Sequence, residues 1–164
     1  MTDLFDQTTT IKALTLWQPW ASLFAAGVKR HETRDWATPY RGPIAIHAGL
    51  TIDVVGAPHA LVEAALGRNW RGIVPVGMIV AIGELTACVE GARLAPSLTE
   101  ADRAAGNFAV GRFAWRIDNL RPLAKPIPAT GRQGIWNWQP PHDIGSNLRP
   151  PVNHAAQAKY IGWA

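Results

Sequence analysis

The chain has 164 residues, a net charge of +4 and a hydrophobic content of 48%. This length favours one domain with a substantial core, and this hydrophobic content excludes a disordered chain. Because Cys88 is the single cysteine, an intramolecular disulfide and a multi-cysteine zinc site are excluded. We expect a cytoplasmic protein, since the sequence shows neither a signal peptide nor an apolar run near the ~20 residues that span a bilayer.

Taken in chain order, hydrophobic periodicity predicts strands alternating with short helices after a flexible lead-in at residues 1–10. The predicted strands are residues 11–16, 29–34, 43–48, 76–89 and 108–120, with residues 121–129 limited by their prolines to an edge strand. The first predicted helix covers residues 19–27 and ends at Gly27. The second covers residues 51–66, where Thr51 caps its start, unless Gly56 and Pro58 interrupt the helix or make it begin later. The third covers residues 97–105 and begins with the capping box Ser97-x-x-Glu100.

These elements define the expected domain organisation. Residues 11–138 form one α+β domain, and five or six short strands with two or three flanking helices favour a small, highly curved β-barrel over a parallel sheet. Residues 139–164 contain two Pro-Pro pairs, which predict an extended C-terminal arm with Tyr160 and Trp163 in its last segment.

Residues 27–42 concentrate side chains that suit ligand binding. The segment contains an ammonium, a carboxylate, two guanidiniums and two aromatic rings: Lys29, Glu32, Arg34, Arg41, Trp36 and Tyr40. A core segment would not gather so many charges, because burying each without a partner is costly. The combination suits a pocket that stacks on a flat ring and contacts its polar edges, or a groove that follows phosphates.

Lys29 and Glu32 are candidates for chemistry within this segment. Lys29 follows the helix-ending Gly27, and desolvation there would lower its pKa and favour a general base or a hydrogen-bond donor; the alternative is a surface lysine. Glu32 accepts from an amino edge of a base, or pairs with Arg34 or Lys29. In an extended segment, residues three apart point to opposite faces, so Lys29 and Glu32 meet only if the chain turns.

Arg34 and Trp36 share a face of an extended segment, where they suit base stacking and phosphate contact, or form a structural cation–π pair. Arg41 precedes Gly42 and reaches a phosphate or caps the next strand. Residues 112–132 carry all of the net charge, and Arg112 and Arg116 lie on the polar face of a strand. That face is a phosphate-facing surface or a solvated strand face.

Glu84 is unusual because it interrupts an apolar strand, so it faces the pocket as a partner of Lys29 or pairs with an arginine of a neighbouring strand. His47 is interpreted as a core histidine. The tryptophans divide into expected core residues, Trp17, Trp20 and Trp115, and candidates for a pocket rim, Trp36, Trp136 and Trp138. The histidine spacing matches no metal site, so no metal or cofactor is expected.

Three blocks of sequence resemble the ASCH domain family, a relative of RNA-binding domains. They are the run from Ala13 to Leu23, the pattern Gly27-x-Lys29-x-x-Glu32-x-Arg34-x-Trp36-x-Thr38-x-x-Arg41-Gly42, and Ile44-x-Ile46-His47-Ala48, followed by weaker matches at Gly83-Glu84-Leu85 and Gly134-Ile135-Trp136. The resemblance covers about residues 11–138. It implies the PUA-like fold, a small β-barrel with helices packed at its ends, and association with RNA or DNA.

The resemblance also implies two functions of different class. One is a module that binds RNA, other single-stranded nucleic acid or a modified nucleoside, without a membrane partner. The other is a hydrolase, because some bacterial members are ribonucleases on single-stranded RNA or an amidohydrolase on N4-acetylcytidine. The amidohydrolase uses Lys, Thr and Glu with a Lys-x-x-Thr spacing; here Lys29 matches, Glu32 replaces the Thr, and Glu84 matches by its place in the long middle strand. Lys29, Glu32 and Glu84 would then activate a water molecule.

Overall fold

The computed structural model describes residues 9–154. Six strands make up the sheet: β1 (Ile11–Gln18), β2 (His31–Arg34), β3 (Gly42–Ile52), β4 (Met78–Glu90), β5 (Phe113–Pro128) and β6 (Ile135–Trp138). The described residues also contain six short α-helices, five between strands and the last after β6: α1 (Trp20–Ala25), α2 (His59–Leu66), α3 (Trp70–Ile73), α4 (Gly91–Leu94), α5 (Glu100–Ala104) and α6 (Ile144–Asn147). None of the helices in this part of the chain is long and apolar enough to cross a membrane.

All six strands belong to one mixed sheet in the order β2-β5-β4-β3-β1-β6. β1 runs parallel to β3, and every other neighbouring pair is antiparallel. The predicted α+β class is confirmed. The sheet is open, however, because the edge strands β2 and β6 are not hydrogen-bonded to each other, so the expected barrel is not closed by a strand ladder.

The core lies on both faces of the sheet, as the two-residue period of the strands requires. On β1, Leu14 and Leu16 pack into a cluster that includes α1, whereas Ala13 belongs to a cluster on the opposite face with Trp138 of β6. A third cluster joins α1 to α2 and to Trp70 of α3. This packing anchors α1 against the sheet and therefore positions the segment that follows α1.

Three local predictions differ from the structure. Thr51 lies within β3, and α2 begins at His59. The capping box forms between Thr99 and Asp102, because the Thr99 side chain accepts from the N–H of Asp102 while the Asp102 carboxylate accepts from the N–H of Thr99. Residues 121–128 continue β5 and do not form a separate edge strand: β4 pairs with them on one side, and on the other, where β2 pairs only as far as Arg116, Leu123 bridges to Leu148.

The start of the C-terminal arm returns along β5. The N–H of Arg149 donates to the Pro122 carbonyl at 2.8 Å, and the N–H of Val152 donates to the Leu120 carbonyl at 2.8 Å. Val152 also packs against the first core cluster. Tyr160, Trp163 and residues 1–8 of the expected lead-in lie outside the described residues.

Candidate functional site

Two adjoining hollows that share wall residues form a cleft beside the end of β1. The smaller has a volume of about 580 Å³ and includes Lys29, Glu32 and Arg112 in its wall. The larger has a volume of about 990 Å³ and includes His47 and Arg132. Both hollows share a boundary made of four residues: Thr15, Trp17, Arg34 and Trp36.

Lys29 is buried in the smaller hollow by the turn that ends α1. Gly27 has a φ of +79°, a left-handed conformation that glycine adopts without strain. The N–H groups of Val28 and Lys29 then both donate to the Leu23 carbonyl at 3.0 Å. The Lys29 side chain is consequently held against α1, with its ammonium 5.3 Å from the centre of a Trp20 ring.

The surroundings of Lys29 favour its neutral form more than water does. Lys29 is only 3% exposed, and its Nζ donates to the Ala105 carbonyl at 2.6 Å. Burial lowers the pKa of Lys29, although the nearby Glu32 carboxylate opposes this effect. The sequence prediction of a held lysine with a lowered pKa agrees with this geometry.

Glu32 connects the two cations of the motif. Its carboxylate lies 3.6 Å from Lys29 Nζ and 3.1 Å from Arg34 Nε. The contact with Lys29 forms because Lys29 precedes the first residue of β2, His31, so the extended backbone does not include it. Arg34 also donates to the Thr15 carbonyl at 3.1 Å. The three charged groups are therefore fixed relative to one another and to β1.

Two indole rings are exposed at the boundary between the hollows. Trp36 is 37% exposed and packs edge-to-face on the buried Trp115 with ring centroids 4.5 Å apart. Trp17 is 58% exposed, so its assignment to the core is wrong. Its neighbours Leu16 and Gln18 are buried, and the alternation of β1 turns Trp17 to the opposite side. A flat ligand ring at this boundary would therefore contact the indoles of Trp17 and Trp36.

Arg112, one of the predicted binding residues, lines the smaller hollow. Its Nη2 donates to the Thr33 carbonyl of β2 at 2.9 Å. Next to it, the N–H of Asn107 donates to the Thr33 hydroxyl at 3.0 Å. The loop before β5 is thereby tied to β2, and both Arg112 and Asn107 line the hollow.

A chain of hydrogen bonds supports the larger hollow. Trp136 Nε1 donates to Thr15 Oγ1 at 3.0 Å, and Thr15 Oγ1 lies 3.1 Å from His47 Nδ1. His47 Nε2 donates to the Ala129 carbonyl at 2.7 Å, so in the neutral ring Nδ1 accepts from Thr15. Burial lowers the pKa of His47, and the bond to Ala129 opposes this effect. His47 is thus a buried histidine with both ring nitrogens hydrogen-bonded, as predicted, and it also lines the cleft.

Trp136 and Trp138 are not rim residues, since each is only 8% exposed. The Trp136 ring packs edge-to-face against His47 at 5.5 Å, and both tryptophans belong to the second core cluster. Their alternation with the exposed Asn137 on β6 directs both rings inward. Trp136 therefore supports the cleft through Thr15 and does not offer a face for stacking.

Glu84 does not meet Lys29. Its strand neighbour Leu85 packs into the first core cluster, on the face that carries α1, so Glu84 points to the other face of β4. There the Glu84 carboxylate accepts from Asn119 Nδ2 at 3.4 Å. The expected pairing with Lys29 is wrong, and Glu84 lines neither hollow.

Three other predicted binding residues lie outside both hollows. The Tyr40 hydroxyl donates to the Pro43 carbonyl, and Arg41 Nη1 donates to the Thr38 and Tyr40 carbonyls at 2.9 and 2.7 Å. These bonds hold the loop that leads into β3. Arg116 Nε lies 2.8 Å from the Asp118 carboxylate, so its charge is paired on the outer surface.

The comparisons with known proteins agree with this fold. The ASCH domain family model matches residues 14–123. Over 35 residues the chain is 54% identical to Activating signal cointegrator 1 of Mus musculus; the match covers 21% of this chain and 6% of that protein.

Two crystal structures of ASCH from Zymomonas mobilis are similar in fold. The first is 16% identical, with a TM-score of 0.51 over 85% of this chain and 96% of that chain. The second, a tyrosine-to-phenylalanine mutant protein, is 17% identical, with a TM-score of 0.51 over 84% of this chain and 98% of that chain. At these identities the likeness extends to the fold alone.

Proposed function

The chain belongs to the ASCH domain family, with its PUA-like α+β fold, and on this basis we propose that the cleft binds a base of single-stranded RNA or of a modified nucleoside. The observation that carries the proposal is the position of two exposed indoles, Trp17 and Trp36, beside the fixed charges of Lys29, Glu32 and Arg34. Indole faces stack on bases, and the charged groups supply donors and an acceptor for the polar edges.

The arrangement of the charged groups favours recognition of an edge. The Glu32 carboxylate accepts from an exocyclic amino group, and the side chains of Asn107 and Arg112 in the same hollow donate to carbonyl or ring nitrogen acceptors. Glu32 and Arg34 are already held by each other. Binding therefore requires little additional loss of side-chain freedom, which lowers the cost of association.

The stacking contribution is tested with Trp17 variants. Ribonucleosides and short single-stranded RNA are titrated against wild type, Trp17→Ala, Trp17→Phe and the control Val110→Ala, whose residue is 90% exposed and outside both hollows. Stacking contributes about 1–3 kcal/mol per base, so Trp17→Ala should weaken binding about tenfold. Trp17→Phe should retain most of the affinity. Equal affinity of Trp17→Ala and wild type would contradict the proposed stacking.

A hydrolase acting on the same ligands is the second candidate, and the buried Lys29 with its lowered pKa favours it. Neutral Lys29 would take a proton from a water molecule as the water oxygen attacks the acyl carbon of N4-acetylcytidine. The resulting Lys29 ammonium, 3.6 Å from the Glu32 carboxylate, would give that proton to the departing N4 amino group as the C–N bond breaks, which leaves acetate and cytidine. Glu84 has no place in this scheme because it lies on the other face of β4.

Turnover of N4-acetylcytidine and of single-stranded RNA by the purified protein tests the hydrolase. Lys29→Ala should reduce the rate by about 100- to 10,000-fold, as the loss of a general base does. Lys29→Arg should not restore the rate, because a guanidinium stays protonated. Circular dichroism of each variant separates loss of chemistry from loss of folding. If the wild type turns over neither substrate, the hydrolase is refuted and the binding function stands.

A further inference from the structure

The two hollows differ in charge. The smaller contains the guanidiniums of Arg34 and Arg112 and the amino group of Lys29, together with the carboxylates of Glu32 and Asp35. The larger contains the guanidiniums of Arg34 and Arg132, and among the described residues that line it there is no Asp or Glu. The smaller hollow therefore offers mixed charge, which suits the polar edges of a base, whereas the larger offers only positive charge, which suits an anion.

Arg132 differs from the other arginines of the cleft because its guanidinium has no partner among the described residues. Within residues 9–154 it has no hydrogen bond or ion pair, and it is exposed. In contrast, Arg34 binds Glu32 and the Thr15 carbonyl, and Arg112 binds the Thr33 carbonyl. A planar guanidinium without a protein partner is free to contact a phosphate through two N–H groups.

The loop that carries Arg132 lies close to the floor of the larger hollow. A Cβ atom at Gly131 would be 2.6 Å from the His47 ring and 2.9 Å from Thr15 Oγ1, so only glycine fits there. The exposed side chains of Thr130 and Gln133 flank it. Arg132 thus lies beside the neutral hydrogen-bonding side chains of Thr130 and Gln133. The same hollow extends to the boundary that carries the two exposed indoles.

We propose that the larger hollow binds a phosphate group of a nucleotide chain through Arg132, so that the preferred ligand is at least a dinucleotide and not a free nucleoside. This inference rests on the proposed function. A base stacked at the shared boundary has its edge in the smaller hollow, and its sugar–phosphate passes by Arg34 into the larger one. Ligand pockets usually occupy about 300–1,000 Å³, and each hollow, at about 580 and 990 Å³, falls in that range, so the cleft has room for two linked units.

The experiment compares ligands that differ only in phosphate. Dissociation constants are measured by calorimetry for the four common ribonucleosides, their 3′- and 5′-monophosphates, and the dinucleotides that contain the tightest-binding base, at 50 to 200 mM salt. The dinucleotide should bind at least tenfold more tightly than the nucleoside and more tightly than either monophosphate. Its affinity should fall with salt, whereas nucleoside affinity should change little.

The variant that tests Arg132 is Arg132→Gln, with Arg68→Gln as the control. Arg68 is also exposed, and it lines neither hollow. Arg132→Gln should remove most of the dinucleotide's advantage, reduce the slope of log affinity against log salt by about 0.7, and weaken dinucleotide binding much more than nucleoside binding. Arg68→Gln should behave as wild type.

The outcomes separate this inference from the proposed function. Nucleoside binding without any gain from phosphate, or a gain that Arg132→Gln leaves intact, overturns the phosphate site while the base-binding function stands. A monophosphate that binds as tightly as the dinucleotide overturns the preference for a chain. If neither nucleosides nor dinucleotides bind, both proposals are refuted together.

Discussion

Replacing Thr15 with valine should destabilise the protein through two buried groups that lie far from it in sequence. Valine has nearly the shape of threonine and suits a strand, so it leaves no cavity. It would, however, leave Trp136 Nε1 without its acceptor at 3.0 Å and His47 Nδ1 without its donor at 3.1 Å. Trp136 and His47 are only 8% and 2% exposed.

The size of the effect follows from these two groups. Each buried polar group left without a partner costs about 1–3 kcal/mol. Thr15 itself is half-buried and lines both hollows, so water partly replaces the hydroxyl, and we expect a loss of about 2–3 kcal/mol in the free energy of unfolding. Thr15→Ser keeps both hydrogen bonds and removes one methyl group, which costs about 1 kcal/mol.

Urea denaturation of wild type, Thr15→Val and Thr15→Ser, with the m-value checked for constancy, measures the difference. A cycle with Trp136→Phe, which keeps an aromatic ring and removes the N–H, should show that Thr15→Val costs about 1 kcal/mol less when the indole N–H is already absent. Equal stability of Thr15→Val and Thr15→Ser would refute the role assigned to the hydrogen-bond chain.

Two further predictions concern Lys29 and Gly131. Because burial lowers the folded-state pKa of Lys29, the unfolded chain binds more protons between that lowered pKa and 10.5, so the Lys29 contribution to stability should rise with pH across this window. Lys29→Met should remove that rise in denaturation curves recorded against pH; an unchanged profile would contradict a buried, desolvated ammonium. Gly131→Ala should cost about 1–3 kcal/mol by overpacking and weaken dinucleotide binding, because the new Cβ would be 2.6 Å from the His47 ring. Gly145→Ala, at a glycine that also lacks a positive φ but meets no atom within 4 Å, controls for the loss of a glycine, and equal effects on binding at the two positions would argue against steric closure of the hollow.

Local sequence determined the elements and the placement of Lys29. The spacing of apolar residues in α1, with Gly27 as its stop, required the chain to turn where Lys29 begins the next segment. The density of charges and aromatic rings in residues 27–42 also predicted a pocket, because such groups have to be paired or presented to a ligand. Lys29, Glu32, Arg34 and Trp36 line the smaller hollow, whereas Tyr40 and Arg41 do not. These features depend on neighbours within a few residues, so periodicity and turn chemistry suffice to predict them.

The tertiary structure determined which face of each strand lines the cleft. Alternation showed that Trp17 lies opposite Leu16 on β1, but only the packing of α1 against the sheet placed Leu16 in the core. Trp17 lies at the rim because β6 pairs with β1 only from Ile11 to Leu14. The same sheet order put Glu84 on the face away from Lys29.

The larger hollow depends wholly on long-range contacts. Thr15 meets His47 and Trp136 across 32 and 121 residues of chain. No local pattern encodes such a meeting, because strand periodicity specifies the two faces of each strand, whereas the pairing of strands and the packing of the sheet determine which face is buried.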